Sequence, residues 1–66
     1  MTIIEHTSRT AQNRRVQYGA SRTMFEGTLE QCREELKRYA DIDENARPME
    51  SDDLLNCGDY YYTIEP

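Results

Sequence analysis

The stretch that decides the fold is residues 25–40, FEGTLEQCREELKRYA, because it holds the clearest helix start in the chain. Gly27 ends a β-prone run, Thr28 is a typical N-cap residue, and Gln31 completes the Thr-x-x-Gln form of a capping box. The apolar residues recur at helical spacing on one face: Leu29, Cys32, Leu36, Tyr39 and Ala40. The pattern predicts an amphipathic helix over residues 29–40.

β-prone runs on both sides of this helix predict an antiparallel sheet. Residues 2–7, 14–18 and 23–26 precede the helix, and residues 59–64, DYYYTI, follow it. Alternation along the last run groups three side chains that we expect to face the helix: Tyr60, Tyr62 and Ile64. Residues 51–58, between the helix and the last run, predict one helical turn.

These elements predict one α+β domain over residues 1–66, in the order βββαβ. It is a small, mostly antiparallel sheet of three to four strands with one helix packed on one face. The predicted core is Ile4, Val16, Tyr18, Met24 or Phe25, Leu29, Cys32, Leu36, Tyr39, Leu54, Tyr62 and Ile64. The second sheet face is left open to solvent or to a partner.

Length and charge argue for binding rather than catalysis. A domain of 66 residues buries only about 60% of the surface of its unfolded chain, which leaves little core for a shielded active site. The net charge is −5, and it is unevenly distributed, with a basic first third and a strongly acidic last third. Such asymmetry indicates electrostatic selection of partners.

Residues with catalytic or metal-binding chemistry are few and badly spaced. His6 has no serine or cysteine near it in sequence, and Cys32 and Cys57 lack the C-x-x-C spacing of a structural zinc site. A site that combines these three residues is the open alternative. We therefore expect no catalysis, no cofactor and no metal. The chain also shows no membrane-spanning run and no export signal, which predicts a cytoplasmic protein with free thiols.

The acidic residues after the helix are the predicted binding site. We call six of them the acidic set: Asp41, Asp43, Glu44, Asp52, Asp53 and Asp59. Carboxylates placed at the positions of DNA phosphates could occupy a groove lined with Lys and Arg on a protein partner. Tyr61, the middle residue of three tyrosines, would anchor the contact. A merely solvated acidic surface is the alternative, and direct binding of nucleic acid is not expected at this net charge.

In size and style the chain resembles the small acidic inhibitors made by phages and other mobile elements, anti-CRISPR proteins among them. The likeness lies in the junction over residues 25–32, the long acidic connection and the tyrosine-rich terminal strand. The resemblance implies a stoichiometric inhibitor of a CRISPR effector, and some such inhibitors mimic DNA at the site that reads the protospacer-adjacent motif. The basic first third departs from a uniformly acidic mimic.

The leading hypothesis is a non-catalytic inhibitor that blocks DNA recognition by a type I, multi-subunit CRISPR effector through the acidic set. One alternative is a small adaptor or regulatory module that binds a protein through the open sheet face. Another is a homodimer that buries this face against a copy of itself, so monomer and homodimer both stay open.

Overall fold

The structure, a computed structural model, describes residues 1–7 and 21–66. Its elements in chain order are β1 Thr2–Thr7, β2 Ser21–Glu26, α1 Leu29–Ile42, β3 Leu54–Asn56 and β4 Tyr60–Glu65. The strands form one antiparallel sheet in the order β2-β1-β4-β3, and α1 packs on one face of it. The predicted α+β fold is confirmed. The predicted strand over residues 14–18 lies outside the described residues.

The capping box at the start of α1 is confirmed. The Gln31 backbone N–H donates to the Thr28 hydroxyl at 3.1 Å, and the Thr28 backbone N–H donates to Gln31 Oε1 at 2.9 Å. The helix runs two residues beyond the predicted end, to Ile42, and the backbone N–H of the C-cap residue Asp43 donates to the Tyr39 carbonyl. These hydrogen bonds satisfy backbone groups that the helix leaves without partners at its two ends, and so fix where α1 begins and ends on the sheet.

The helical turn predicted within residues 51–58 is wrong, because Leu54–Asn56 is the edge strand β3. Leu55 is fully buried, whereas Leu54 is 44% exposed on the opposite face, so the prediction of Leu54 as core is wrong as well. Pairing with β4 explains the difference: a strand beside Tyr60–Glu65 alternates its faces with period two and can bury only one of two adjacent leucines.

Strand β1 faces the opposite way from the prediction. Ile3 is fully buried and Ile4 is only partly buried on the face away from α1. Glu5 lies two residues from Ile3 and therefore points to the same face, where its carboxylate accepts a hydrogen bond from the Tyr62 hydroxyl at 3.0 Å. Glu5 and Tyr62 are cross-strand partners. A polar residue therefore points toward the helix side because a buried donor needs it.

A bulge in β2 changes the local alternation. Ile3 pairs with Phe25 and Ile4 pairs with Thr23, so Met24 is the extra residue on the β2 side. Both Met24 and Phe25 pack partly buried against the core. The sequence had left the choice between these two residues open, and the bulge lets both contribute.

The core lies between α1 and the sheet. Its buried members are Ile3, Cys32, Leu36, Leu55, Cys57 and Tyr62. Tyr60 and Ile64 pack against them from the same face of β4 as Tyr62, which confirms the predicted orientation of this strand. Leu29 was predicted in the core but is 36% exposed. Val16 and Tyr18 lie outside the described residues. Across residues 1–7 and 21–66, no helix is long and apolar enough to cross a membrane.

Candidate functional site

Four members of the acidic set are exposed and two are partly buried. The exposed ones are Asp41, Glu44, Asp52 and Asp59. Asp43 and Asp53 have their carboxylates engaged by other side chains of this protein. The first four are therefore available to a partner, and the other two already have structural partners.

Asp43 joins the end of the helix to the last strand. Its Oδ2 accepts a hydrogen bond from the Tyr60 hydroxyl at 2.6 Å, and its Oδ1 accepts from the Asn45 backbone N–H at 2.8 Å. The Tyr60 hydrogen bond and then the Asn45 N–H hold the pKa of Asp43 below its ordinary value, since both favour the carboxylate. Asp43 thus stabilises the fold at the C-terminal end of α1.

Replacing Tyr60 with phenylalanine should raise the pKa of Asp43 toward its ordinary value, because the strongest donor to the carboxylate is removed. A lowered pKa contributes stability above the unfolded-state pKa, and that stability is lost as the pH falls through the folded pKa. The variant should therefore lose less stability on acidification. An NMR titration of the Asp43 carboxyl carbon measures the shift.

The matched control is Tyr61→Phe, because the Tyr61 side chain lies on the face of β4 opposite Tyr60. It should leave the titration of Asp43 unchanged. If the Tyr60→Phe variant also left it unchanged, the hydrogen bond would not be what lowers this pKa.

Asp53 is bound to the helix by Arg33. Arg33 Nε donates to Asp53 Oδ1 at 2.8 Å, and Nη2 lies 3.4 Å from Oδ2, which is a two-point contact. This hydrogen bonding lowers the pKa of Asp53 and raises the pKa of Arg33. Both side chains are substantially exposed, so solvent screens the pair, and its main effect is to position the loop before β3.

The acidic set falls into two groups along α1. Asp41, Asp43 and Glu44 lie at the C-terminal end of the helix, and Asp59 lies in the turn before Tyr60, which contacts Asp43. Asp52 and Asp53 precede β3, where Asp53 contacts Arg33. Arg33 itself is ten residues before Asp43, a rise of about 15 Å along the helix axis. The six carboxylates cover an edge of the molecule rather than one point.

Tyr61 lies on the sheet face away from α1, which we call the open face. Its ring stacks on the His6 imidazole, with centroids 4.7 Å apart and an interplanar angle of 13°. Cross-strand pairing places His6 beside Tyr61, Ile4 beside Thr63, and Leu54 on the other side of Thr63. Tyr61 is partly exposed there. Its role as an anchor stays a prediction.

His6 belongs to a hydrogen-bond network with Thr63 and Glu65. His6 Nε2 lies 2.9 Å from Thr63 Oγ1 and 3.3 Å from Glu65 Oε2, and the Thr63 hydroxyl donates to Glu65 at 2.6 Å. Because the hydroxyl proton is directed at Glu65, the threonine oxygen accepts from Nε2–H. A nucleophile–base pair needs the opposite direction. The network lowers the pKa of Glu65, chiefly through Thr63 and then through His6.

The two cysteines are free and buried. Burial, and then the nearby charge of Asp43, raises the pKa of the Cys57 thiol to about 11. Such a thiol is protonated at neutral pH and is a poor nucleophile or metal ligand. In the parts of the chain that the structure describes, no group of three or more His, Cys, Asp or Glu side chains is arranged to hold a metal ion.

Two features of the surface were missed from sequence. The first is a charged stripe on the outer face of α1, where the exposed side chains Glu30, Glu34, Lys37 and Asp41 follow one another at spacings of three or four residues. Helical periodicity, applied to the charged residues as it was to the apolar ones, would have found it. The second is that Ile4 and Leu54 lie on the open face, because only strand pairing decides which of two adjacent residues points there.

Comparison with known proteins adds no relative: no family model, no curated protein and no solved structure matches this chain.

Proposed function

We propose that this protein is a non-catalytic inhibitor that binds another protein through its carboxylates and occupies a basic groove which normally receives DNA. The chain has a net charge of −5, and its negative charge is concentrated after the helix, where residues 41–66 hold eight carboxylates and one arginine. This excess of negative charge is the observation that supports the proposal.

Ion pairs within the fold use carboxylates other than the exposed members of the acidic set. Among the described residues, Arg22 pairs with Glu5, Arg33 with Asp53, and Arg38 with Glu35. Each pair neutralises one carboxylate as well as one cation, so the net charge is unchanged. The four exposed members of the acidic set take no part in these three pairs, which favours steering toward a positively charged groove.

The resemblance to anti-CRISPR proteins names the partner to test first, a type I multi-subunit effector with a basic DNA-binding groove. Occupation of that groove would block DNA recognition without any chemical step. The proposal assigns the protein to the cytoplasm of the host cell, where such an effector meets DNA.

The test is binding to a purified type I effector complex, measured by biolayer interferometry at several salt concentrations and by competition with target DNA. The variant neutralises the four exposed carboxylates of the acidic set: Asp41→Asn, Glu44→Gln, Asp52→Asn and Asp59→Asn. At roughly 0.5 kcal/mol for each exposed charge pair, affinity should fall about 30-fold, and wild-type affinity should fall as salt rises.

The matched control keeps every charge and changes only side-chain length: Asp41→Glu, Glu44→Asp, Asp52→Glu and Asp59→Glu. It should bind almost as tightly as the wild type and still compete with DNA. Asp43 and Asp53 stay unchanged in both variants because they support the fold. Equal affinity of the neutralised variant and the control would refute the electrostatic mechanism, and no binding to the effector would refute the choice of partner.

A further inference from the structure

The centre of the open face carries no carboxylate, lysine or arginine. One cross-strand row holds Thr23, Ile4, Thr63 and Leu54 in that order, and Tyr61 lies in the next row beside His6. Leu54 is 44% exposed, among the most exposed large apolar side chains of the described residues. Helix α1 covers the other side of the sheet. Single exposed apolar side chains are common on protein surfaces, so it is their combination with a charged rim that favours a binding partner.

The rim of the open face is mainly acidic. Strand register places Glu26 and Glu65 on either side of Thr2, on the same face as Ile4. At the β3 side, Glu50 and Arg47 line a surface depression next to Leu54. Three carboxylates against one guanidinium give this rim a negative potential, and it surrounds a centre without formal charge. Apolar centres with charged rims are the usual anatomy of a protein interface.

The size of the face decides between two occupants. The open face is three strand spacings wide and about five residues long, which gives a footprint of about 14 by 17 Å, or roughly 240 Å². A stable dimer buries about 800 Å² on each partner, so a second copy of this chain would not be held by this face alone. A second copy would also bring Glu26, Glu50 and Glu65 near their own counterparts. A helix about 10–12 Å wide matches the footprint.

We propose that the open face binds a short amphipathic helix of a partner protein, with apolar side chains on Ile4, Leu54 and Tyr61 and Lys or Arg side chains on the rim of Glu26, Glu50 and Glu65. The exposed Tyr61 ring also offers a face for a guanidinium. This inference deepens the proposed function, on which it rests for the basic character of the partner. The contact with the partner helix lies on the open face, which does not include the acidic set.

The experiment uses the whole protein and a synthetic amphipathic peptide of Leu and Lys, about four helical turns or roughly 14 residues long. Backbone amide shifts in NMR spectra map the contact, and the titration measures the affinity. Shifts should concentrate on β1, β3 and β4 residues of the open face. A peptide of the same pattern with Glu in place of Lys should bind at least tenfold more weakly, because it meets an acidic rim.

Variants test the same contact. Leu54→Ala and Tyr61→Ala should each weaken binding of the Leu/Lys peptide about tenfold, since each removes an apolar anchor of roughly 1–2 kcal/mol. Glu26→Gln with Glu50→Gln should weaken it severalfold, and neither residue belongs to the network of His6, Thr63 and Glu65. Ile42→Ala is the matched control, because Ile42 is 70% exposed at the end of α1 and lies outside the open face. It should bind as the wild type does.

The outcomes separate this inference from the proposed function. Shifts confined to the outer face of α1, equal affinity for the Leu/Lys and Leu/Glu peptides, or no binding of either peptide would overturn the inference. The variant with four neutralised carboxylates should bind the Leu/Lys peptide nearly as well as the wild type, and a loss like that of Tyr61→Ala would also overturn it. Failure of the effector to bind would count against the proposed function only.

Discussion

Replacing Leu55 with alanine should lower the free energy of unfolding by about 2–5 kcal/mol, whereas the same change at Leu54 should lower it by less than about 1 kcal/mol. Leu55 has no exposed surface and contacts the core beneath α1, and Leu54 is 44% exposed on the open face. Truncation of a buried leucine removes packed methyl groups and leaves a cavity. Truncation of an exposed leucine leaves no cavity, because water takes the place of the removed methyl groups.

Urea unfolding followed by tyrosine fluorescence or far-ultraviolet circular dichroism measures both variants. A 66-residue domain has a free energy of unfolding of about 3–10 kcal/mol, so Leu55→Ala should remove a large fraction of it and unfold at a clearly lower urea concentration. Two equal effects would contradict the strand and its register, because a helical turn through residues 51–58 would not separate the two leucines so sharply. Because Leu54→Ala should stay folded, weaker binding of the Leu/Lys peptide by this variant can be attributed to the lost contact.

Replacing Leu36 with alanine should have an effect of the same size, about 2–5 kcal/mol of unfolding free energy. Leu36 lies in the middle of the buried face of α1 and has no exposed surface. It is one of the largest buried side chains between the helix and the sheet. Alanine is a better helix former than leucine, but only by a few tenths of a kcal/mol, which is far less than the cavity costs.

Ile42→Ala is the matched control for Leu36→Ala, because it is a large-to-small change in the same helix at a residue that is 70% exposed. It should change the free energy of unfolding by less than about 0.5 kcal/mol. Thermal denaturation monitored by the helical circular dichroism signal compares the two. A Leu36→Ala protein as stable as Ile42→Ala would show that α1 does not hold the sheet in the way described.

The structure distinguishes exposed carboxylates of the acidic set from carboxylates that hold the fold together. Asp43 and Asp53 were predicted to face a partner, but their carboxylates hold Tyr60 and Arg33. Changing either one would alter the fold and the binding surface at once. The four exposed members of the acidic set, and separately the open face, are the positions where a change in affinity reports on contact with a partner.

The sequence by itself determined the helix and the last strand, because their signals are local. The capping box at Thr28 and Gln31 involves residues three apart, and the apolar stripe that buries Cys32 and Leu36 repeats within single turns. The alternation that turns Tyr62 toward the helix likewise needs only neighbouring residues. Net charge and its asymmetry were equally visible, since they depend only on which charged residues the chain has and where they lie in the sequence.

Only the tertiary structure decided which of two adjacent apolar residues is buried. Ile3 or Ile4, and Leu54 or Leu55, are equivalent to local propensity, and a slip of one residue in register exchanges their faces. The choice depends on β4, which lies between β1 and β3 although β1 begins at the opposite end of the chain. The Tyr62 hydroxyl takes Glu5 as its acceptor and thereby turns Ile3 inward and Ile4 outward. The composition of the open face follows from that long-range pairing, which no short stretch of sequence contains.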